Sequence, residues 1–147
     1  YREKLEQWLK EHNLDGAVQF VGQLERRALA RFYALHHVGV FPSIHPEAFG
    51  IVAAEMMSSG LVVVSSGVGG AGELIDDGRT GLRFQAGDSQ GLANCLMRLA
   101  SDFALLNDLR QAGKREAQLR FSVMESTLSL EYGFRRDASE EGEIKFF

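Results

Sequence analysis

The stretch that decides the fold is residues 38–72, VGVFPSIHPEAFGIVAAEMMSSGLVVVSSGVGGAG. It opens with a short apolar strand at 38–41 that stops at a proline. The apolar segment 49–59 is long enough for a helix, and the glycine directly after it is placed to cap that helix. Residues 61–65 are apolar and β-branched without polar alternation, which predicts a strand buried on both faces of a parallel sheet.

The rest of the chain extends the same alternation of strands and helices. The pattern predicts strands at 17–21 and 82–84, a helical turn at 73–75, and helices around Leu5, Trp8 and Leu9 and over 25–35, 89–101, 103–118 and 123–134. We therefore expect an α/β fold, a Rossmann-like parallel sheet flanked by helices, over residues 1–134. The charged tail 135–147 lacks periodicity, and we expect it to be frayed.

Composition limits the classes of function. The chain has 147 residues, which suits one domain, and its formal net charge of −4 offers no basic patch for nucleic acid. One cysteine, Cys95, excludes an internal disulfide and favours a reducing, cytoplasmic setting. No apolar run approaches the roughly 20 residues that span a bilayer. The chain opens in mid-helix without a methionine, so we interpret it as a piece of a longer protein.

Two carboxylates stand out because they are the only formally charged side chains within residues 38–72. Glu55 lies in an apolar helix, where a buried carboxylate is costly unless cations or hydroxyl donors pair with it. It is either a ligand-binding acid or a structural carboxylate satisfied by backbone amides or a distant arginine. Glu47 precedes the helix start, where an acid can also serve only to complement the helix dipole.

The start of that helix and the glycine-rich loop 67–72 are candidate phosphate sites. The first amides of a helix are unpaired and carry partial positive charge, and Gly50 has no side chain to block a close approach. Both segments follow strands, at the edge where open α/β sheets bind ligands. The loop can also be a flexible turn. It is not the Gly-x-Gly-x-x-Gly fingerprint, which counts against a dehydrogenase-type nucleotide-binding domain.

An ordered set of motifs resembles the family 4 retaining glycosyltransferases, also called glycosyl transferases group 1. The core is a glutamate, seven residues and a second glutamate, with Phe-Gly after the first acid. The matching residues are Phe41-Pro42-Ser43, Glu47-Ala48-Phe49-Gly50-Ile51-Val52, Glu55, Met57, Gly60, Val18 to Gly22, Val62 to Ser65, Gly69-Gly70, Glu73, Asp77-Gly78, Thr80-Gly81, Gly87-Asp88 and Phe121-Ser122.

The resemblance implies roles for the central residues. The fold would be the C-terminal, donor-binding half of a GT-B enzyme, with its first strand and the upstream acceptor domain absent from this chain. Glu55 would accept hydrogen bonds from the ribose hydroxyls of the donor nucleotide. Glu47 would be the catalytic carboxylate beside the transferred sugar, as nucleophile or as electrostatic stabiliser. The amides of Phe49, Gly50 and Ile51 would hold the sugar or diphosphate.

The same resemblance implies the remaining donor-binding residues. Ser43 would stand at the end of its strand beside the donor, and Gly22 and Gln23 would line the base pocket. Gly69 and Gly70 would lie close to the nucleotide. Members of this fold act without a metal, so we expect no cofactor besides the substrate, a UDP-, GDP- or ADP-linked sugar.

The implied activity is sugar transfer with retention of anomeric configuration to an acceptor sugar, lipid or small molecule. The family's diphosphate-binding Arg and Lys precede this chain, and no Arg or Lys lies between Arg31 and Arg79, so we expect a cleft without cations. The chain alone would then be inactive. A non-catalytic nucleotide-sugar-binding or regulatory module is the alternative. The parent protein could also associate peripherally with a membrane through the missing half.

Overall fold

The computed structural model describes residues 1–46, 48 and 50–121. Residue 121 is described by its backbone alone. The elements in chain order are α1 (Arg2–Glu11), α2 (Arg26–Ala34), β1 (Val38–Phe41), α3 (Ile51–Ser58), β2 (Val62–Ser65), α4 (Ala71–Leu74), β3 (Leu82–Arg83), α5 (Ser89–Ser101) and α6 (Phe103–Phe121). The predicted helix 123–134 and the tail 135–147 lie outside the described residues.

The three strands form a parallel sheet in the order β1-β2-β3. Val38 pairs with Val62 and Phe41 with Ser65, so the carboxyl ends of β1 and β2 coincide. Every residue of β2 is buried, as its unbroken apolar pattern predicted. The central strand therefore fixes one edge of the sheet at which the loops after β1 and β2 lie side by side.

Helices cover the sheet on both faces, which confirms the predicted α/β class. The side chain of Val63 packs in a cluster with Ala53 and Met57 of α3. Its neighbours Val62 and Val64 point to the opposite face and pack in a second cluster with residues of α5 and α6. This alternation along one strand divides the apolar core between the two layers.

Helix α3 ends where the sequence predicted. Gly60 adopts a left-handed conformation with φ of 87°. Its N–H donates to the Met57 carbonyl at 3.0 Å, and the N–H of Leu61 donates to the Met56 carbonyl at 3.1 Å. This pair of bonds satisfies the last carbonyls of the helix and turns the chain into β2.

The predicted strand at 17–21 is wrong, because these residues form a turn and an irregular segment. Val18 and Val21 are 45% and 40% exposed. An extended segment becomes a strand only when a neighbour accepts and donates its backbone hydrogen bonds, and none of the described strands does so here. The apolar, β-branched composition of this segment is typical of a strand. Composition carries no information on whether a neighbouring strand is available to pair with it.

Candidate functional site

The loops that leave β1 and β2 are joined by two hydrogen bonds. The hydroxyl of Ser66 donates to the Ser43 carbonyl at 2.6 Å. The N–H of Ser66 donates to the Phe41 carbonyl at 3.2 Å. Ser43, predicted as a donor-binding residue, thus lies at the carboxyl edge of the sheet and is fixed to the start of the glycine-rich loop.

The start of α3 packs directly on the end of the glycine-rich loop. Gly50 is the N-cap of α3, is buried, and has φ of 67°. A β-carbon at this position would lie 3.0 Å from the backbone nitrogen and Cα of Ala71, the residue that follows Gly70. The absence of a side chain therefore brings two predicted donor-binding residues, Gly50 and Gly70, next to each other.

A side chain of β3, Arg83, contacts the glycine-rich loop. Arg83 Nη2 donates to the Gly67 carbonyl at 3.4 Å, and the Gly67 N–H donates to the Ser65 hydroxyl at 3.0 Å. The guanidinium occupies the space that a side chain at position 67 would need. No sequence pattern indicates this contact, because Arg83 stands in a strand pattern 16 residues away from Gly67.

A cleft of about 410 Å³ separates α2 from α3. Its lining consists of Arg26, Leu29, Ala30, Tyr33, Ile51, Ala54, Glu55, Ser58 and Ser59. The α2 residues recur at helical spacing and present one face of that helix to one face of α3. Glu55 and Ile51, both predicted from the sequence as site residues, thus lie opposite a wall formed by α2. The sequence did not predict that α2 borders the site.

The carboxylate of Glu55 is available to whatever enters this cleft. Its side chain is half-buried, and no described residue makes a hydrogen bond or ion pair with it. Opposite it, burial raises the pKa of the Tyr33 phenol, and the negative charge of Glu55 raises it further. A purely structural carboxylate would be paired with backbone amides or an arginine. Within the described residues, Glu55 has no such partner.

Arg26 corrects the expectation that the cleft has no cation. Arg26, in the first turn of α2, is among the lining residues and forms no ion pair with Glu55 within the described part of the chain. The sequence signal was the spacing of Arg26, Leu29, Ala30 and Tyr33, which puts all four on one helical face. Arg26 precedes the stretch from Arg31 to Arg79, the stretch without Arg or Lys on which the expectation rested.

Several of the described residues that the sequence predicted for the site do not line this cavity. Gly22, with φ of 68°, and Gln23 lie in the exposed segment before α2 and are not among the lining residues. Gly69 and Gly70 stay with the loop after β2. Glu47 and Phe49 lie outside the described residues, so their predicted roles stay predictions.

Two further findings concern the described part of the chain. No group of three or more His, Cys, Asp or Glu side chains is arranged there to hold a metal ion. None of the helices described is both long and apolar enough to cross a bilayer.

Comparison with known families decides the relationship that the motifs suggested. The sequence profile of glycosyl transferases group 1 matches residues 1–116, which include the sheet, the cleft and the glycine-rich loop. The chain belongs to this family. Its group 1 relatives include proteins known in sequence and others known in structure.

Three relatives show the extent of the similarity. A D-inositol 3-phosphate glycosyltransferase from Nocardioides is 35% identical over 123 residues, which is 80% of this chain and 27% of the relative. Sucrose-phosphate synthase from Thermosynechococcus elongatus superimposes with a TM-score of 0.82 at 33% identity, over 95% of this chain and 35% of that one. Anabaena HepE in complex with UDP gives a TM-score of 0.81 at 28% identity, over 90% and 36%.

These matches confirm the predicted fold, which is that of the GT-B glycosyltransferases. The chain spans about a quarter of the length of the first curated relative, at 27%.

Proposed function

We propose that this group 1 chain is the donor-binding part of a glycosyltransferase that moves a sugar from a nucleoside-diphosphate sugar to an acceptor, with retention of anomeric configuration. The observation that carries the proposal is Glu55, a carboxylate without a described protein partner, facing a cleft of about 410 Å³. Family membership and the likeness to HepE in complex with UDP support the same reading.

The ribose of the donor binds to Glu55. A carboxylate accepts hydrogen bonds only, and two vicinal hydroxyls supply two donors to its two oxygens. Glu55 lies four residues after Ile51, the first residue of α3. This separation is about 6 Å along the helix axis, which suits a ribose beside a diphosphate at the helix start.

The diphosphate lies at the start of α3 and against the neighbouring glycines. The amides of Gly50 and Ile51 lie at the helix start, where backbone N–H groups have no partner within the helix and carry partial positive charge. Gly70 packs beside them through its neighbour Ala71, so a second backbone segment borders the same space. Breaking the bond between sugar and phosphate leaves extra negative charge on the diphosphate, and preorganised amides stabilise that charge as it develops.

The remaining roles follow from the family resemblance. Glu47 stands beside the transferred sugar as the catalytic residue, and the amide of Phe49 joins those of the helix start. Gly22 and Gln23 border the base, while Ser43 and Gly69 border the donor from the two loops. The reaction proceeds without a metal, and the acceptor, a sugar, lipid or small molecule, binds to a part of the parent protein outside this chain.

The setting of the parent protein is cytoplasmic, with peripheral membrane association as a further property of the acceptor half. This chain alone is inactive, because the acceptor site and the family's diphosphate-binding cations are not part of it. The alternative, a non-catalytic nucleotide-sugar-binding module, shares the cleft but would not need Glu47.

An NMR titration of the chain with UDP, GDP and ADP tests the donor site. We expect one nucleotide at least to shift the amides of Gly50, Glu55 and Gly70, and Glu55→Gln to weaken that binding. Asp108→Asn is the matched control, because Asp108 is an exposed carboxylate of α6 outside the cleft. Absence of binding at millimolar nucleotide, or equal binding by wild type and Glu55→Gln, would contradict the proposal.

A further inference from the structure

The last turn of α6 is tied to α4 through one arginine. Arg120 Nη1 donates to the Glu73 carbonyl at 3.1 Å. Arg120 Nε donates to the Glu116 carboxylate, one turn earlier on α6, at 2.6 Å, and the two side chains form an ion pair. The guanidinium therefore joins an acid of α6 to the backbone of α4, although Glu73 and Arg120 are 47 residues apart.

Helix α4 receives its support from α6 at two points. The helix has only four residues, and the Glu73 carbonyl lies in its last turn, where carbonyl groups have no partner within the helix. An arginine side chain is a suitable donor for such a carbonyl. The second contact is apolar, because Ala117 of α6 packs in one buried cluster with Ala71 and Leu74 of α4.

The position of α4 in turn sets the position of the glycine-rich loop. The N–H of Glu73 donates to the Gly70 carbonyl at 3.1 Å, so the residue that Arg120 holds is itself bonded to a predicted donor-binding glycine. Ala71 lies between them in sequence and packs on Gly50, the N-cap of α3. A displacement of Glu73 would therefore move Gly70 relative to the start of α3.

From these contacts we infer that Arg120, held by Glu116, is a positioning residue for the diphosphate end of the donor site. It fixes α4 so that the backbone of Gly70 borders the start of α3. Neither Arg120 nor Glu116 lines the cleft, so their effect reaches a ligand through α4. The inference rests on the proposed donor site and deepens it by naming the side chains that set the geometry of its diphosphate end.

The test measures the affinities of nucleoside diphosphates and monophosphates for the 147-residue chain by NMR titration. The probes are UDP, GDP and ADP together with UMP, GMP and AMP, all at one salt concentration. A monophosphate keeps the base and the ribose but lacks the phosphate that lies farther from the ribose. The ratio of the two affinities for one base therefore reports on the diphosphate end of the site.

Four substitutions separate positioning from other effects. Arg120→Met removes both donated hydrogen bonds, and Glu116→Gln removes the charge that holds the guanidinium. Arg115→Met is the matched control, because Arg115 is an exposed arginine of the same helix with no hydrogen bond to α4 in the described part of the chain. Glu55→Gln reports on the donor site itself. Urea unfolding of each variant shows whether it is folded under the titration conditions.

We expect Arg120→Met to weaken binding of the nucleoside diphosphate about threefold to tenfold, as substitutions that act through an intervening element do. The affinity for the matching monophosphate should change much less. Glu116→Gln should act in the same direction with a smaller effect. The double variant should bind like Arg120→Met alone, because the two side chains act as one unit. Arg115→Met should bind like the wild type.

Two outcomes would overturn the inference while a weakening by Glu55→Gln keeps the donor proposal. In the first, Arg120→Met binds the diphosphate as tightly as the wild type does. In the second, Arg120→Met weakens the monophosphate and the diphosphate by the same factor, which indicates a general loosening of the fold. If Glu55→Gln binds like the wild type, or if no nucleotide binds at millimolar concentration, the donor proposal itself fails and the inference fails with it.

Discussion

Gly50 and Ala71 are in van der Waals contact, and this contact joins the start of α3 to the start of α4. A β-carbon at position 50 would lie 3.0 Å from three atoms of Ala71, two of them in the backbone. The φ of Gly50 is 67°, a conformation that residues with a side chain rarely adopt. Position 50 is therefore constrained twice, by conformation and by space.

Gly50→Ala should destabilise the chain more than Gly22→Ala does. Gly22 has φ of 68° but open space around it, so its alanine variant bears the conformational cost alone, about 1 kcal/mol. Gly50→Ala adds overpacking against Ala71 and should cost on the order of 2–3 kcal/mol. Urea unfolding of both variants measures the difference. Equal losses of unfolding free energy in the two variants would show that α4 moves away from the added methyl group at position 50 without an energetic cost.

The sequence predicted the parts of the fold that depend on local pattern. The buried strand β2 and the end of α3 at Gly60 could be read directly, because an unbroken apolar run and a capping glycine act locally. The prediction of a strand at 17–21 was wrong because strand pairing depends on a second segment that is remote in sequence. Arg26 and Arg83 were missed for the same reason, since their positions depend on how α2 and β3 pack against segments remote in sequence.

Arg83→Met should loosen the glycine-rich loop with little effect on global stability. Arg83 is exposed, so its loss should change the free energy of unfolding by about 0.5 kcal/mol or less. The Gly67 carbonyl loses its guanidinium donor, so the backbone order parameters of residues 67–70 should fall.

NMR relaxation of the wild type and two variants measures this effect. Arg79→Met is the control, because Arg79 is also exposed but pairs with Asp76 on a turn rather than with the loop. Unchanged order parameters at 67–70 in Arg83→Met would show that the Ser65 hydroxyl holds Gly67 without help.

The phenol of Tyr33 should titrate above the ordinary tyrosine pKa of about 10. Burial is the larger cause and the charge of Glu55 the smaller, so Glu55→Gln should lower the raised pKa only part of the way. Because the folded chain holds this proton more tightly than the unfolded chain, Tyr33 contributes stability below pH 10 that is lost as pH rises through the folded pKa.

An NMR titration of the Tyr33 ring against pH measures this pKa in both proteins. The Asp108→Asn variant should titrate like the wild type, since Asp108 is not part of the cleft. An ordinary pKa for wild-type Tyr33 would mean that water reaches the phenol freely and that the cleft between α2 and α3 is wider in solution than about 410 Å³.

In an active enzyme that contains this chain, substitutions of Glu47 and Glu55 should change different kinetic constants. Glu55→Gln removes the charged acceptor from two ribose hydrogen bonds made in both ground and transition states, so the donor KM should rise on the order of tenfold with kcat little changed. Glu47→Gln acts beside the reacting sugar and should lower kcat by about 10²–10³ with a smaller change in KM. Steady-state rates against donor concentration distinguish the two, with Asp108→Asn as control. Wild-type kinetics in both variants would refute the site assignment, whereas a KM effect for Glu55→Gln alone would keep the donor site and remove Glu47 from the catalytic role.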